Sequence, residues 1–229
     1  MKIIEKIRHR WARRSSESYC KYLRQKGIHI GNGTVVYPKT CQIDLTRPSL
    51  VSIGENCLLN RNTTILTHDF VTKVFLNLDW GFINSSGRVV IGNNVRFGQN
   101  VMVLKGVTIG DNVFIGAGSI VTRDIPSNSI AVGAPCKVVM TLEEYFQKRL
   151  QKSEKEALDY ARSIKERYNR KPVPSDFWEE FIWFVSGNEV DKYPEIPIAS
   201  QLSNYFDIYK ESHKAKYKSF DEFLAAAGL

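Results

Sequence analysis

The sequence has few cysteines and histidines, and it has no apolar run long enough to cross a membrane. Four cysteines and four histidines occur among 229 residues, and no two cysteines form a CxxC pair. No signal-peptide core follows the basic start of the chain. We therefore expect a cytoplasmic protein whose cysteines stay reduced, and Cys57 is expected to be a small buried apolar residue.

The charge balance favours an acidic ligand. The formal net charge is +8 at pH 7, which attracts anions. No recognised nucleic-acid-binding motif is present, so we expect no nucleic acid partner, and a phosphorylated cofactor is the simpler explanation. The length allows one large domain, or one domain with an appendage.

A six-residue period runs through the middle of the chain, from Ile91 to Pro126. Written in sixes, this segment reads IGNNVR, FGQNVM, VLKGVT, IGDNVF, IGAGSI and VTRDIP. Every first position is bulky and apolar, four second positions are Gly, and the fifth positions are Val, Ser or Ile. A unit this short fits a strand and a bend, and units of this kind form a core only by stacking. The period therefore predicts a solenoid in which Gly supplies backbone freedom at the bends.

Less regular hexads occupy residues 30–41 and 53–64, and the next unit, ILTHDF at 65–70, breaks the pattern. Asp69 stands there in the position that other units reserve for small residues. Burying an unpaired carboxylate is costly, so either the chain leaves the coil at this point or Asp69 has a partner. Residues 71–87 contain no hexads, and a long loop inside a solenoid is usually functional. The alternative is an arm that packs against a neighbouring subunit.

Helical patterns flank the repeats. Residues 1–26 form a basic amphipathic segment with Ile3, Ile4, Ile7 and Trp11 at helical spacing. This stripe either packs on the coil or lies on an anionic membrane surface. Capping-box patterns at 141–144 and 219–222 predict a long helix and a terminal helix, and residues 176–185 predict a short helix between them. We expect an N-terminal helical segment at 1–27, a β domain at 28–140 with the insertion 71–87, and an α-helical region at 141–229.

The run IGAGSIVTRDIP, followed by AVGAPCKVV, resembles the late signature of the hexapeptide-repeat acyltransferases. Within that family the chain is most similar to the maltose and galactoside acetyltransferase type, over about residues 28–140. The resemblance implies a mainly β fold, a left-handed parallel β-helix of triangular section. General rules favour right-handed crossovers, so the left hand comes from the resemblance alone. It also implies acetyl-CoA as co-substrate, no metal, and a homotrimer with active sites between subunits.

The resemblance assigns chemical roles to particular residues. His68, in the run THDF, would be the general base, and Asp69 would hold its ring tautomer. Gln99 and Gly98 would stabilise the developing oxyanion. The implied coenzyme A groove comprises Gly98, Gly116, Ala117, Gly118, Thr122, Arg123 and Lys137. The candidate acceptor contacts are Trp80, Asn84 and Arg96, and relatives often have Trp where Arg96 stands.

The function implied is acetyl transfer to a hydroxyl or amine of a sugar, in surface polysaccharide biosynthesis. Serine and xenobiotic acetyltransferases of this fold are the alternatives within the family. Zinc carbonic anhydrases also use this fold, but they need several histidine ligands, and only His68 lies in the clear hexads. A non-catalytic β-helix scaffold is the alternative of another class.

Overall fold

The computed structural model describes residues 2–229, with side chains from residue 4 onward. The helices are α1 Lys2–Ala12, α2 Ser16–Gln25, α3 Thr72–Asn77, α4 Leu142–Tyr168, α5 Ile198–Leu202, α6 Phe206–Ser212 and α7 Phe220–Ala226. The strands are β1 His29–Ile30, β2 Val35–Val36, β3 Gln42–Ile43, β4 Val51–Ile53, β5 Leu58–Leu59, β6 Thr64–Ile65, β7 Val89–Ile91, β8 Arg96–Phe97, β9 Met102–Val103, β10 Thr108–Ile109, β11 Phe114–Ile115, β12 Ile120–Val121, β13 Ser129–Val132 and β14 Lys137–Thr141. Two compact units divide the chain between Phe146 and Gln147.

The strands of the first unit form three sheets, and successive strands go to successive sheets. The first sheet contains β1, β4, β7 and β10, the second contains β2, β5, β8, β11, β13 and β14, and the third contains β3, β6, β9 and β12. Pairing is parallel except between β13 and β14. Phe97 lies level with Ile115, which is three hexads later, so one turn of the coil uses three hexads. The strand register therefore confirms the stacking that the period predicts.

The interior of the coil is filled by the first and fifth positions of the hexads. Each of these residues between Ile91 and Ile125 is at most 4% exposed. Cys57 is fully buried as predicted. Ser119, a polar residue in a fifth position, is also fully buried, and its hydroxyl donates to the Gly116 carbonyl oxygen at 2.7 Å. A buried hydroxyl that has a partner escapes the desolvation cost of an unpaired one.

Asparagine, rather than second-position glycine, takes the left-handed conformation at many bends. The asparagines with φ between 53° and 61° are Asn56, Asn62, Asn94, Asn100, Asn112 and Asn128. Short amide side chains tolerate this region, and the Asn94 amide also donates to Asn112 on the next coil at 3.0 Å. A Cβ on Gly92 would lie 2.8 Å from the carbonyl carbon of Gly110. The second-position glycine is therefore needed because neighbouring coils approach closely, which corrects the prediction.

Each end of the coil is covered by a different element. Helix α2 buries Tyr19, Cys20 and Leu23 in the same core as the first coil, and the Ser16 hydroxyl accepts from the Val36 amide at 2.9 Å. At the other end, β14 folds back antiparallel on β13. Terminal repeats of a solenoid need such caps because their outer faces lack a neighbour.

Helix α1 does not pack its apolar stripe on the coil, so that alternative is wrong. Ile4, Ile7 and Trp11 are 65%, 52% and 57% exposed, and the Ile3 side chain lies outside the described residues. The predicted segment is two helices, because the Ser15 hydroxyl accepts from the Ser18 amide and starts α2 anew. Over residues 2–229, no helix combines the length and apolar character that crossing a membrane requires.

The predicted capping box at Thr141 is complete, whereas at Ser219 only the hydroxyl cap forms, because the Glu222 carboxylate accepts from the Lys218 amide. The Thr141 hydroxyl accepts from the Glu144 amide at 3.1 Å, and the Ser219 hydroxyl accepts from the Glu222 amide at 3.1 Å. The short helix predicted over 176–185 is wrong, since the segment forms 3-10 turns at Pro174–Asp176 and Glu180–Trp183. Here Phe177, Phe184 and Val185 are all fully buried. Tertiary packing that buries all three of these side chains outweighs the helix propensity of the segment.

Gly92→Ala tests the role of the second-position glycines. We expect this change to reduce the free energy of unfolding by about 3 kcal/mol, the upper end of overpacking costs, because the clash is with backbone. Gly106→Ala is the control, since its φ is +81° and nothing lies within 4 Å of its Cβ. The control should lower the free energy of unfolding by only about 1 kcal/mol, which is the strain of a side chain in left-handed backbone. Thermal unfolding followed by circular dichroism measures both, and equal losses would contradict the close-approach argument.

Candidate functional site

One corner of the coil gathers polar side chains from four consecutive turns. We call it the third corner; it consists of residues 44–50, 66–88, 104–107 and 122–124, which follow the strands of the third sheet. Asp44 comes directly after β3, and His68 follows β6 by two residues. Because β3 and β6 pair in parallel, with Ile43 level with Ile65, residues just beyond these strands lie one coil apart. The register therefore places Asp44 level with Leu66, two residues before His68, and so within reach of the His68 side chain.

Asp44 and His68 form a close, largely buried pair. The His68 Nδ1–H donates to Asp44 Oδ2 at 2.6 Å. The two side chains are 15% exposed for His68 and 5% for Asp44. A carboxylate on Nδ1 fixes the proton there, so Nε2 is the ring nitrogen that can accept a proton. The His68 ring also lies edge-on to the exposed Phe70 ring, with centroids 5.1 Å apart.

The threonines around Asp44 keep its carboxylate ionised. Burial raises the pKa of Asp44, but hydrogen bonds from Thr67, Thr46 and His68 outweigh it, so the pKa lies well below its usual range. Oδ1 accepts from both the amide and the hydroxyl of Thr46, at 2.8 and 2.7 Å. Oδ2 accepts from the Thr67 hydroxyl as well as from His68. A carboxylate with this many donors is held in one orientation and stays charged.

Asp69 does not orient His68, so that assignment is wrong. Its carboxylate is 43% exposed and lies 2.5 Å from Lys105 Nζ. It also accepts from the Ser85 hydroxyl at 2.8 Å and from the Val71 amide at 3.1 Å. Hydrogen bonds from Lys105, the Val71 amide and Ser85 lower the pKa of Asp69 to about 2. The chain has left the coil here and Asp69 has a partner, so both of the predicted explanations hold.

The insertion forms an arm whose first and last residues both lie next to His68. The Gly87 amide donates to the Thr67 carbonyl at 2.9 Å, and Ser86 pairs with His68 in an antiparallel bridge. The arm contains α3 and exposes several apolar side chains, including the predicted acceptor contact Trp80, which is 70% exposed. Asn84, the other contact predicted on the arm, is also exposed. Since Asp69 contacts both Ser85 and Lys105, the two ends of the arm are tied to the next coil.

Gln99 and Gly98 do not lie beside His68 within one chain. They follow β8 of the second sheet, at the second corner, where the Gly118 amide donates to the Gln99 carbonyl at 2.8 Å. His68 follows β6 of the third sheet, so the two groups occupy different corners of the coil. Gly116 and Ala117 share the second corner with Gln99, one coil further on.

The remaining predicted cofactor residues are placed on exposed surface. Thr122 and Arg123 follow β12 at the third corner, and Lys137 begins β14; all three are exposed. The third sheet separates Thr122 and Arg123 from the glycines of the second corner, while Lys137 lies on the second sheet. Arg96 is exposed on the second sheet, level with Phe114. Arg123 and Lys137 take part in no described ion pair, so they could hold the phosphates of a cofactor.

Sequence reasoning missed Asp44, Thr46, Thr67 and Lys105. The signal that would have found Asp44 is the register, because hexads 36–41 and 59–64 place the residue after Ile43 beside the start of THDF. The irregular turn with Pro48 hid this correspondence. Nothing in the sequence indicated that Lys105 would pair with Asp69, because the sequence does not show in which direction the arm leaves the coil.

Asp44→Asn tests whether the carboxylate is held as an anion. Because the folded-state pKa lies below the usual value, the folded protein binds this proton more weakly than the unfolded chain. The stabilisation is therefore present above the ordinary pKa of about 3.9 and is lost as pH falls below it. We expect Asp44→Asn to cost about 1–3 kcal/mol at pH 7 and the difference from wild type to shrink toward pH 3, measured by urea unfolding.

The control for this measurement is Asp79→Asn. Asp79 is exposed and has φ +55°, which Asn tolerates, so the control should leave stability at pH 7 unchanged. A cost for Asp44→Asn that stays constant from pH 7 to pH 3 would contradict the argument.

Comparison with known proteins agrees with the repeat. The family model "Bacterial transferase hexapeptide (six repeats)" matches residues 88–123. The "Putative acetyltransferase YvoF" of Bacillus subtilis (strain 168) is 34% identical over 136 residues, which cover 59% of this chain and 70% of that protein. The galactoside O-acetyltransferase of Escherichia coli (strain K12) is 38% identical over 117 residues, covering 51% of this chain and 55% of that enzyme.

Among solved structures, a maltose O-acetyltransferase from Clostridium difficile 630 is 30% identical, with a TM-score of 0.47. The match covers 59% of this chain and 83% of that one. The chain spans only about half the length of the galactoside enzyme, but it covers more than two thirds of YvoF at over 30% identity. The chain therefore belongs to the hexapeptide-repeat acetyltransferases.

Proposed function

We propose that this protein transfers an acetyl group from acetyl-CoA to a hydroxyl of a sugar, with His68 as the general base. The observation that carries the proposal is the 2.6 Å hydrogen bond from His68 Nδ1 to the buried Asp44 carboxylate, at the exit of the arm. Membership of the acetyltransferase family supports the reaction type. The relative named galactoside O-acetyltransferase supports a sugar acceptor and a hydroxyl rather than an amine.

The reaction needs one proton acceptor and no covalent enzyme intermediate, because the thioester is already activated. Nε2 of His68 removes the proton from the acceptor hydroxyl as its oxygen attacks the acetyl carbonyl carbon. A carbon–oxygen bond forms, the carbon–sulfur bond breaks, and the proton passes from Nε2 to the departing thiolate. Acetyl-CoA, when bound, supplies the acyl group and the thiol leaving group.

Asp44 supports this step in two ways. Its hydrogen bond to Nδ1 holds the ring in the tautomer that leaves Nε2 unprotonated. Its negative charge stabilises the imidazolium that forms when Nε2 takes up the proton. The amides and hydroxyls of Thr46 and Thr67 hold the carboxylate itself in place. Asp44 is therefore a positioning residue, while His68 contacts the reacting atoms.

We place the coenzyme A groove between the coils of two subunits in a homotrimer of left-handed β-helices. Gln99 stands on a different corner from His68 in one chain, which supports a site shared by two subunits. In this proposal Gly98 and Gln99 donate to the oxyanion. The pantetheine lies along the glycine-containing corner at 116–118, and Thr122, Arg123 and Lys137 lie toward the phosphates.

Residues 28–140 carry the reaction in this proposal, while 1–27 and 141–229 lie outside the chemical step. The arm supplies Trp80 and Asn84 to the acceptor, and Arg96 faces it from the second sheet. The arm's exposed position leaves room for an acceptor larger than a free monosaccharide. For that reason we favour a sugar within a surface polysaccharide under assembly.

His68→Ala is the direct test of the general base. We expect turnover to fall by about 10²–10⁴, because proton removal matters only in the transition state. Acetyl-CoA binding, measured by calorimetry, should change little. The assay is steady-state acetyl transfer to a galactoside, with thiol release as the readout.

His29→Ala is the matched control, because His29 is an exposed histidine on β1 of the first sheet. This control should keep wild-type turnover. A His68→Ala enzyme with near-wild-type turnover would remove the proposed mechanism.

Arg123→Ala and Lys137→Ala test the phosphate contacts. A charge-assisted contact contributes about 1.5–3 kcal/mol, so each variant should raise the KM for acetyl-CoA about tenfold or more. Turnover should be nearly unchanged, because phosphate binding is equal in the ground and transition states. Steady-state kinetics with varied acetyl-CoA provide the measurement.

Lys155→Ala removes an exposed positive charge from α4 and serves as the control. Sedimentation equilibrium should show wild type and all three variants as trimers. If KM is unchanged in both test variants, the phosphate assignment fails. A stable wild-type monomer at micromolar concentration would rule out the groove between subunits.

A further inference from the structure

The positive charge of this protein is concentrated at its N-terminus. The first 26 residues contain nine Lys or Arg and two acidic residues, so they carry +7 of the chain's formal net charge of +8. One of the two acids, Glu5, is already neutralised by an ion pair with Lys26 and accepts a hydrogen bond from the Tyr22 hydroxyl. Such an asymmetry indicates a partner of strongly negative charge at this end of the molecule.

Helix α1 is fixed with its polar face toward the protein. His9 stacks on the ring of Tyr22 at 5.3 Å, Ala12 packs against the core of the coil, and Glu5 contacts α2 through Tyr22. At 3.6 residues per turn these three residues share one face of the helix. The contacts with α2 therefore determine which face of α1 is turned outward.

The outward face is the apolar one. Ile4, Ile7 and Trp11 fall within about 60° of one another around the helix and are between 52% and 65% exposed. Arg8 and Arg10 flank this stripe. A surface helix normally buries its apolar stripe, so α1 presents the reverse arrangement. An apolar stripe flanked by basic residues is the pattern of helices that lie in a membrane interface.

A groove on this face combines apolar and cationic groups. It has a volume of ≈ 540 Å³ and is lined by Ile7, Arg10, Trp11 and Arg14. The Arg14 guanidinium lies 4.1 Å from the centre of the Trp11 ring, and its Nε donates to the Trp11 carbonyl. Guanidinium groups bind phosphate oxygens in a bidentate manner, and an indole ring suits the boundary between headgroups and acyl chains.

We propose that α1 docks this protein on an anionic phospholipid surface, with Ile4, Ile7 and Trp11 inserted and Arg8, Arg10 and Arg14 contacting lipid phosphates. The charge complementarity favours lipid over a second copy of this chain, because a second α1 would bring another strongly basic surface. The inference stands on the N-terminal segment alone and is independent of the acetyl-transfer proposal.

Co-sedimentation with vesicles tests the docking. The full-length protein should bind vesicles of phosphatidylcholine containing phosphatidylglycerol and should bind pure phosphatidylcholine far more weakly. Binding should weaken as salt is raised, because exposed charges are screened. Arg10→Gln/Arg14→Gln should reduce the partition coefficient about fivefold for each charge removed. Trp11→Ala should reduce it about tenfold.

The chain offers matched controls for both kinds of change. Trp178 is 58% exposed, almost the same as Trp11, so Trp178→Ala removes an equally exposed indole from another part of the chain. Lys165→Gln/Arg167→Gln changes the net charge as much as the arginine pair does. Both controls should bind vesicles like wild type, and circular dichroism should show all variants folded.

Each outcome of this experiment decides the proposal. Loss of binding in the α1 variants alone, on anionic vesicles alone, supports it. Equal binding to both kinds of vesicle, no binding to either, or equal losses in the control variants would overturn it. If Trp11→Ala leaves vesicle binding intact but changes the sedimentation coefficient, a second copy of the chain covers the stripe and the proposal is wrong.

Discussion

The close parallel stacking of coils is the constraint on which the rest of this structure depends. Each backbone must come near enough to its neighbour that a Cβ at Gly92 would clash with Gly110. The strand register then determines which residues at a corner are neighbours. Asp44, His68 and Lys105 come from three consecutive turns, and none is near another in sequence. The candidate site is thus a consequence of stacking, and residues that no local pattern connects are brought into hydrogen-bond distance.

Two carboxylates near His68 show how position on the coil separates their roles. The Asp44 side chain is almost fully buried and accepts hydrogen bonds from Thr46, Thr67 and His68. It is therefore held in the position where its charge can orient the His68 ring. Asp69 is adjacent to His68 in sequence but is exposed and paired with Lys105. In an extended segment successive side chains point to opposite sides, so a neighbour in sequence is poorly placed to contact the same ring. The carboxylate that contacts the His68 ring is that of Asp44, which belongs to the preceding coil.

The six-residue period was sufficient to predict the solenoid and its buried positions, and it marked Asp69 as the point where the chain leaves the coil or the carboxylate has a partner. It was not sufficient to predict Asp44, because the irregular turn around Pro48 obscured the register of the first coil. It also misassigned the bends, where Asn94 and Asn112 take the left-handed conformation while Gly92 provides space between coils. The 3-10 turns around Phe181 depend on tertiary packing of aromatic rings, which periodicity does not encode.

The caps of the coil explain why α1 is left with an exposed apolar face. The first coil has no neighbour below it, and its core requires an apolar cover. Helix α2 supplies this cover with Tyr19, Cys20 and Leu23, and its Ser16 hydroxyl satisfies the Val36 amide. Once α2 occupies that position, α1 packs mainly against α2, through Glu5 and His9, and only Ala12 at its end reaches the core. The exposed apolar side of this basic helix is thus a consequence of how the coil is capped, and it is the observation on which the proposed docking to an anionic surface rests.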